Sequence, residues 1–200
     1  MKRGAALSVV LAAFFTAACR ADPAPTGTWQ FRALLDGTPI GQHRFDVIGQ
    51  GEERQVVSVA DFAVKFMGFT AYRYHHRATE QWHGSCLTRL HASTDDNGKH
   101  SEVHQEPGAT DPCVMSFAYW NPAIRTQPRL LNAQTGQMEA VEVRKVGTGS
   151  VTVGGKAVEA TEYRIEGPEH PISVWYAPDG LWVGLDSTVA GGRKLSYRLP

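Results

Sequence analysis

Histidine, cysteine, tyrosine and acidic side chains gather in the middle of this 200-residue chain, where six of its eight histidines fall between His75 and His104. The densest local group is Tyr72, Tyr74, His75, His76, Glu80 and Trp82. On a continuous strand His76, Glu80 and Trp82 share one face, and a carboxylate beside an imidazole can support acid–base work. The same spacing also arises on a polar outer face carrying cross-strand pairs. Nucleophile elbow, phosphate-binding glycine loop, paired-histidine zinc helix and dinucleotide fingerprint are all absent from the sequence. Catalysis is therefore the lesser reading, and no catalytic residue is assigned.

Two spacings, His83-x-x-Cys86 and His100-x-x-x-His104, would permit tetrahedral zinc. In a strand the second pair would lie about 13 Å apart, and a disulfide would consume the thiolate of the first. No metal ligand and no cofactor is expected, and scattered histidines on outer strand faces account for the pattern. Asp95-Asp96-Asn97-Gly98 lacks the alternating ligands of a calcium loop and reads as a hairpin turn.

With Cys19 assigned to processing, Cys86 and Cys113 form an even pair, for which a disulfide is expected, with two buried thiols as the alternative. Large aromatics supply the candidate ligand contacts. Trp82, Trp120, Trp175 and Trp182 are expected to line a concave surface, with Tyr119 and Asn121 on a lid. Simple core filling is the competing role for each of them.

The elements that must position these side chains alternate with period two. Trp29, Phe31, Ala33 and Leu35 precede the turn Asp36-Gly37, and His43, Phe45 and Val47 share a side on the return. Val56, Ser58, Ala60, Phe62, Val64 and Phe66 occupy one face of a long strand, and Gly68 separates it from Phe69 to Arg77. Glu80 to Thr94 reads as one further segment, with His100 to Gln105 as its hairpin partner. Alternation fails near residues 107–128, where a long loop with at most a short helical turn is expected, pinned by Cys113. From Gln137 the meander resumes to Leu199. The fold expected is all-β, a single antiparallel meander of about ten to twelve strands forming a strongly curved sheet, a half-barrel or barrel. A two-sheet sandwich is the structural alternative.

Lys2 and Arg3 precede the uncharged run Ala5 to Ala18, which has the order of a secretory signal. A spanning helix takes about 20 apolar residues, more than this run provides. The signal peptide is placed at residues 1–21, cleaved before Cys19 or after Ala21, with a single β domain over 22–200. Thr16-Ala17-Ala18-Cys19 resembles a lipobox, so acylation at Cys19 and a membrane-anchored periplasmic lipoprotein are expected, with a soluble periplasmic form as the rival. Without Lys2 and Arg3, 18 basic residues face 20 acidic ones. No basic face exists to attract nucleic acid.

Three stretches carry a family likeness: Leu35-Asp36-Gly37-Thr38-Pro39-Ile40-Gly41, Trp175-Tyr176-Ala177-Pro178-Asp179-Gly180 and Gly192-Arg193-Lys194-Leu195-Ser196-Tyr197-Arg198-Leu199. With Tyr119-Trp120-Asn121-Pro122 and Gln134-Thr135-Gly136, the chain resembles a family of uncharacterised exported bacterial proteins, a domain of unknown function. That family is similar to periplasmic half-barrels akin to the lipoprotein carriers of the Lol system. The resemblance implies location and architecture and carries over no catalytic residue. The leading expectation is non-enzymatic binding of a lipid or other apolar or amphipathic molecule. A structural or interaction protein of the envelope, with a protein partner, is the alternative.

Overall fold

The computed structural model describes residues 25–108 and 112–200. The export segment, both expected cleavage points and Cys19 lie outside the described residues. The strands are β1 (Gly27–Leu35), β2 (Thr38–Gln50), β3 (Glu53–Phe66), β4 (Phe69–His83), β5 (Cys86–Asp96), β6 (Lys99–Gln105), β7 (Arg129–Leu131), β8 (Met138–Ala140), β9 (Glu142–Val153), β10 (Lys156–Glu166), β11 (Ile172–Tyr176), β12 (Trp182–Val189) and β13 (Arg193–Arg198). Helix is confined, among the described residues, to the 3-10 turns Pro122–Thr126 and Ala190–Gly192.

Eleven strands form one antiparallel sheet in the order β6-β5-β4-β3-β2-β1-β13-β12-β11-β10-β9. Each neighbour is also the neighbour in sequence except at the centre, where β1 pairs with β13. The all-β antiparallel meander expected from alternation is thus the observed architecture. Tight turns explain the pairing of sequential strands. Asp36-Gly37 and Asn97-Gly98 both adopt positive φ at the two turn positions, the geometry whose twist matches right-handed strands.

Two expectations are corrected. Glu80 to Thr94 is not one segment: Gly84, at φ +59°, turns the chain between β4 and β5, which pair from His83–Cys86 to Tyr74–Asp96. A His-Gly-Ser-Cys turn lacks the Asn-Gly signal, so alternation alone ran through it. The meander also does not resume at Gln137, because β7 and β8 form a separate two-stranded ribbon and the irregular segment reaches to Val141.

Alternate residues along the sheet are buried on one face, Trp29, Phe31, Ala33 and Leu35 on β1 being the clearest run. Into the same core the irregular segment drives Met115, Ala118, Trp120, Ile124, Leu130 and Leu131. Cys86 and Cys113 are joined by a disulfide, which ties the start of that segment to β5. A smaller cluster of Val151, Ala160 and Val183, with Trp175 against it, packs on the opposite face of β9 to β12.

Candidate functional site

A cavity of about 940 Å³ lies between the core-facing side of the sheet and the irregular segment. Its walls follow the two-residue period: Val56, Ser58, Ala60, Phe62 and Val64 from β3, and Tyr72, Tyr74, His76, Ala78 and Glu80 from β4. Leu185, Ser187 and Val189 of β12 and Leu195 and Tyr197 of β13 line it from the other half of the sheet. Residues Ser116 to Trp120 and Asn132 to Thr135 border it from the irregular segment.

One stretch of wall is polar and aromatic. Tyr74 stacks on Phe62 with ring centroids 5.4 Å apart, and His76 lies 6.3 Å beyond Tyr74. Nδ1 of His43 lies 3.3 Å from the Tyr197 hydroxyl, while its Nε2 is out of solvent contact and meets no partner among the described residues. Burial pushes the His43 imidazole down to about 3, with the nearby His76 adding to the effect. His76 falls to about 4, again chiefly through burial and secondarily through His75. Both rings are therefore neutral near pH 7, and the Tyr74 and Tyr197 hydroxyls are held protonated by burial.

Glu80 is buried, and loss of solvent pushes its carboxyl upward against the opposing hydrogen bonds from Ser116 and Trp82. The indole N–H of Trp82 donates to Glu80 Oε2 at 3.0 Å. His76, Glu80 and Trp82 do share the face expected of them, and it is the buried one. They do not make an acid–base pair, because Nδ1 of His76 lies 2.8 Å from Thr94 Oγ1 and Glu80 is engaged by Trp82 and Ser116. His75 points outward to Asp61, and Tyr72 donates to Asp96 at 2.7 Å.

Of the six aromatic and amide residues expected to meet a ligand, Tyr119 and Trp120 border the cavity. Trp82 and Trp182 sit deeper. Trp82 packs edge-on to Trp120 at 5.4 Å, and Trp182 lies 4.3 Å from Phe31 and 5.4 Å from Tyr119. Trp82 and Trp182 are both fully buried and neither borders the cavity. Trp175 is on the opposite face altogether, alternating with the core residues Val174 and Tyr176 and donating to Asp186 at 2.9 Å. Asn121 is buried, and its Oδ1 accepts from Ala123 N at 3.0 Å to cap the 3-10 turn.

His43 and Tyr197 were not singled out by sequence spacing. Alternation does put His43 on the side of Phe45 and Val47, but its meeting with Tyr197 depends on the β1–β13 pairing that brings the first and last strands together at the centre of the sheet. The family-like stretches also meet in space. Asp36 accepts from Arg193 Nε at 2.7 Å and from the Lys194 amide at 2.8 Å, and Asp186 links Trp175 with Ser196 and Arg198.

A family model for a domain of unknown function, DUF6134, matches residues 31–200. The chain belongs to that family. The matched span begins within β1 and includes every strand that lines the cavity. No curated protein shows a significant match.

Proposed function

We propose that this protein binds an apolar or amphipathic molecule, a lipid above all, in the cavity between the sheet and the irregular segment, and does so without catalysis. In this reading the sheet curls as a half-barrel around its ligand, and the chain works in the periplasm as a lipoprotein acylated at Cys19. The carrying observation is the cavity itself: about 940 Å³ lies at the upper end of the range for small-molecule sites. Its apolar wall suits a hydrocarbon chain. The patch of His43, Tyr74, His76 and Tyr197, with both imidazoles neutral, suits an uncharged polar group on the same molecule, and the acidic and basic lining residues Asp96, Glu139, Glu169 and Arg193 lie outside that patch. The absence of a His76–Glu80 pair favours binding over acid–base catalysis.

The test is solvent extraction of protein purified from its own membranes, followed by mass spectrometry, beside an Ala60→Leu, Ala78→Leu variant that fills the cavity wall. Retained lipid in the native chain and its loss from a folded variant support the proposal. Clean extracts from both, with no binding of a fluorescent fatty probe, reject it.

The interaction-protein reading has one observation in its favour, the exposed Met67 and Phe69 at the tip of the β3–β4 hairpin. Val64 and Tyr72, close behind that tip, line the cavity. Crosslinking from position 67 or 69 in intact cells to one reproducible protein neighbour would support it.

A further inference from the structure

On the outer face of β5 and β6, opposite rungs of the ladder carry complementary groups. Arg89 pairs with Glu106 at 3.0 Å, and His100 lies 3.8 Å from Asp95. Between them lie two rungs, Ser93–Glu102 and His91–His104, and in the second His91 faces His104 directly, with the two rings stacked at 4.2 Å and 19°. Glu102, two residues from His104 on the same face, brings a carboxylate oxygen to 3.6 Å from His104 Nε2. One ligand atom from each of the three side chains falls within 4.8 Å of the others.

We propose that His91, His104 and Glu102 form a binding site for a first-row divalent transition ion such as Zn²⁺. Ligand atoms at about 2.0–2.2 Å from a tetrahedral ion stand roughly 3.3–3.5 Å apart, so small side-chain rotations close the set. Two imidazoles and one carboxylate select zinc, copper or nickel over calcium or magnesium. Three protein ligands leave a fourth position for water or for a group from another molecule. The backbone is well placed to hold the geometry, because the ligands stand on paired strands with fixed register. The nearest guanidinium on the β4 side, Arg77, lies beside Ser93 and not beside His91. Spacing along the chain could not disclose this set, since it forms across two strands and uses neither His83, Cys86 nor His100. None of the three residues lines the cavity, so the site stands or falls independently of ligand binding there.

The experiment is calorimetric titration of the untagged chain with Zn²⁺, comparing His91→Asn and His104→Asn with the outer-face controls His75→Asn and His100→Asn. One ion per chain is expected, with affinity reduced more than about tenfold in the first two variants and unchanged in the controls. Zn²⁺ protection of His91 and His104 in the native chain from diethyl pyrocarbonate, read by peptide mass spectrometry, gives the same answer without any substitution. Absence of stoichiometric binding, equal loss in the control variants, or unprotected His91 and His104 at saturating Zn²⁺ would overturn the site.

Discussion

Trp175 and His76 stand on opposite faces of the sheet and act on stability in different ways. The indole of Trp175 fits over Gly149, where an added Cβ would approach it to 3.1 Å, and its N–H is held by Asp186. Asp186 in turn accepts from Ser196 at 2.6 Å and from Arg198 at 2.7 and 2.9 Å. Replacing Asp186 with Ala removes the acceptor of the Trp175 indole N–H and of Arg198 Nη2, while Arg198 Nη1 keeps the Leu185 and Tyr197 carbonyls. A loss of about 2–3 kcal/mol is expected in urea unfolding, with cavity binding retained because Trp175 and Asp186 do not border it. His76 acts through protonation instead. Its folded value near 4 lies below the ordinary 6.5, so the unfolded chain takes up a proton that the folded chain refuses, and stability falls as pH drops below 6.5. His76→Asn is expected to remove about 2 kcal/mol of the decline between pH 7 and pH 5, read from urea midpoints at both values. Glu80 has the opposite sign, because its raised carboxyl holds a proton that the unfolded chain releases above 4.5. The Glu80→Gln variant should therefore gain on the native chain as pH rises from that point.

Among the elements, long alternating strands were readable because each buries one face and a one-residue slip would turn every side chain over. Val56 to Val64 on β3 and Trp29 to Leu35 on β1 lie as their alternation requires. The turn at Gly84 and the β7–β8 ribbon are not legible in the sequence for different reasons: the first lacks a turn signal such as Asn-Gly, and the second has strands of three residues, too short to show a period. Gly41, part of the family-like stretch, has a role that spacing could not reveal. It sits at φ +151°, and a Cβ there would run into the backbone of Asp61. Gly41→Ala is expected to separate β2 from β3 locally and cost more than about 2 kcal/mol, measurable as a lowered Tm with loss of amide protection on both strands. The disulfide closes a separation of 27 residues, and its removal in a Cys86→Ala, Cys113→Ala variant is expected to cost about 3 kcal/mol. Since Met115 and Ser116 follow directly, that variant should also bind a fatty probe more weakly, by fluorescence titration, than its stability loss alone would explain.

For the molecule as a whole, the candidate site was legible only in part. Period two identified the faces of β3 and β4 that became cavity wall, yet it could not separate residues that fill the core from residues that border open space. Trp82 and Trp120 touch each other, but Trp120 alone of the two also borders the cavity. That distinction depends on how the irregular segment folds over the sheet, and its prolines and aromatics carry no period from which to read a path. The polar patch had the same obstacle, since His43 and Tyr197 are 154 positions apart and meet through long-range pairing.

The pairing of β1 with β13 at the centre of the sheet order sets a timetable for assembly. Hairpins on either side can form from local sequence, but the seam that unites them needs both β1 and β13 at once. Synthesis therefore yields two unmated ribbons with raw edges until the last strand is made, and closure of the seam is slowed by the distance in sequence that must be spanned. A chain stopped before Arg193 would keep its hairpins and lose the bond between its halves, leaving them open to pairing with other molecules.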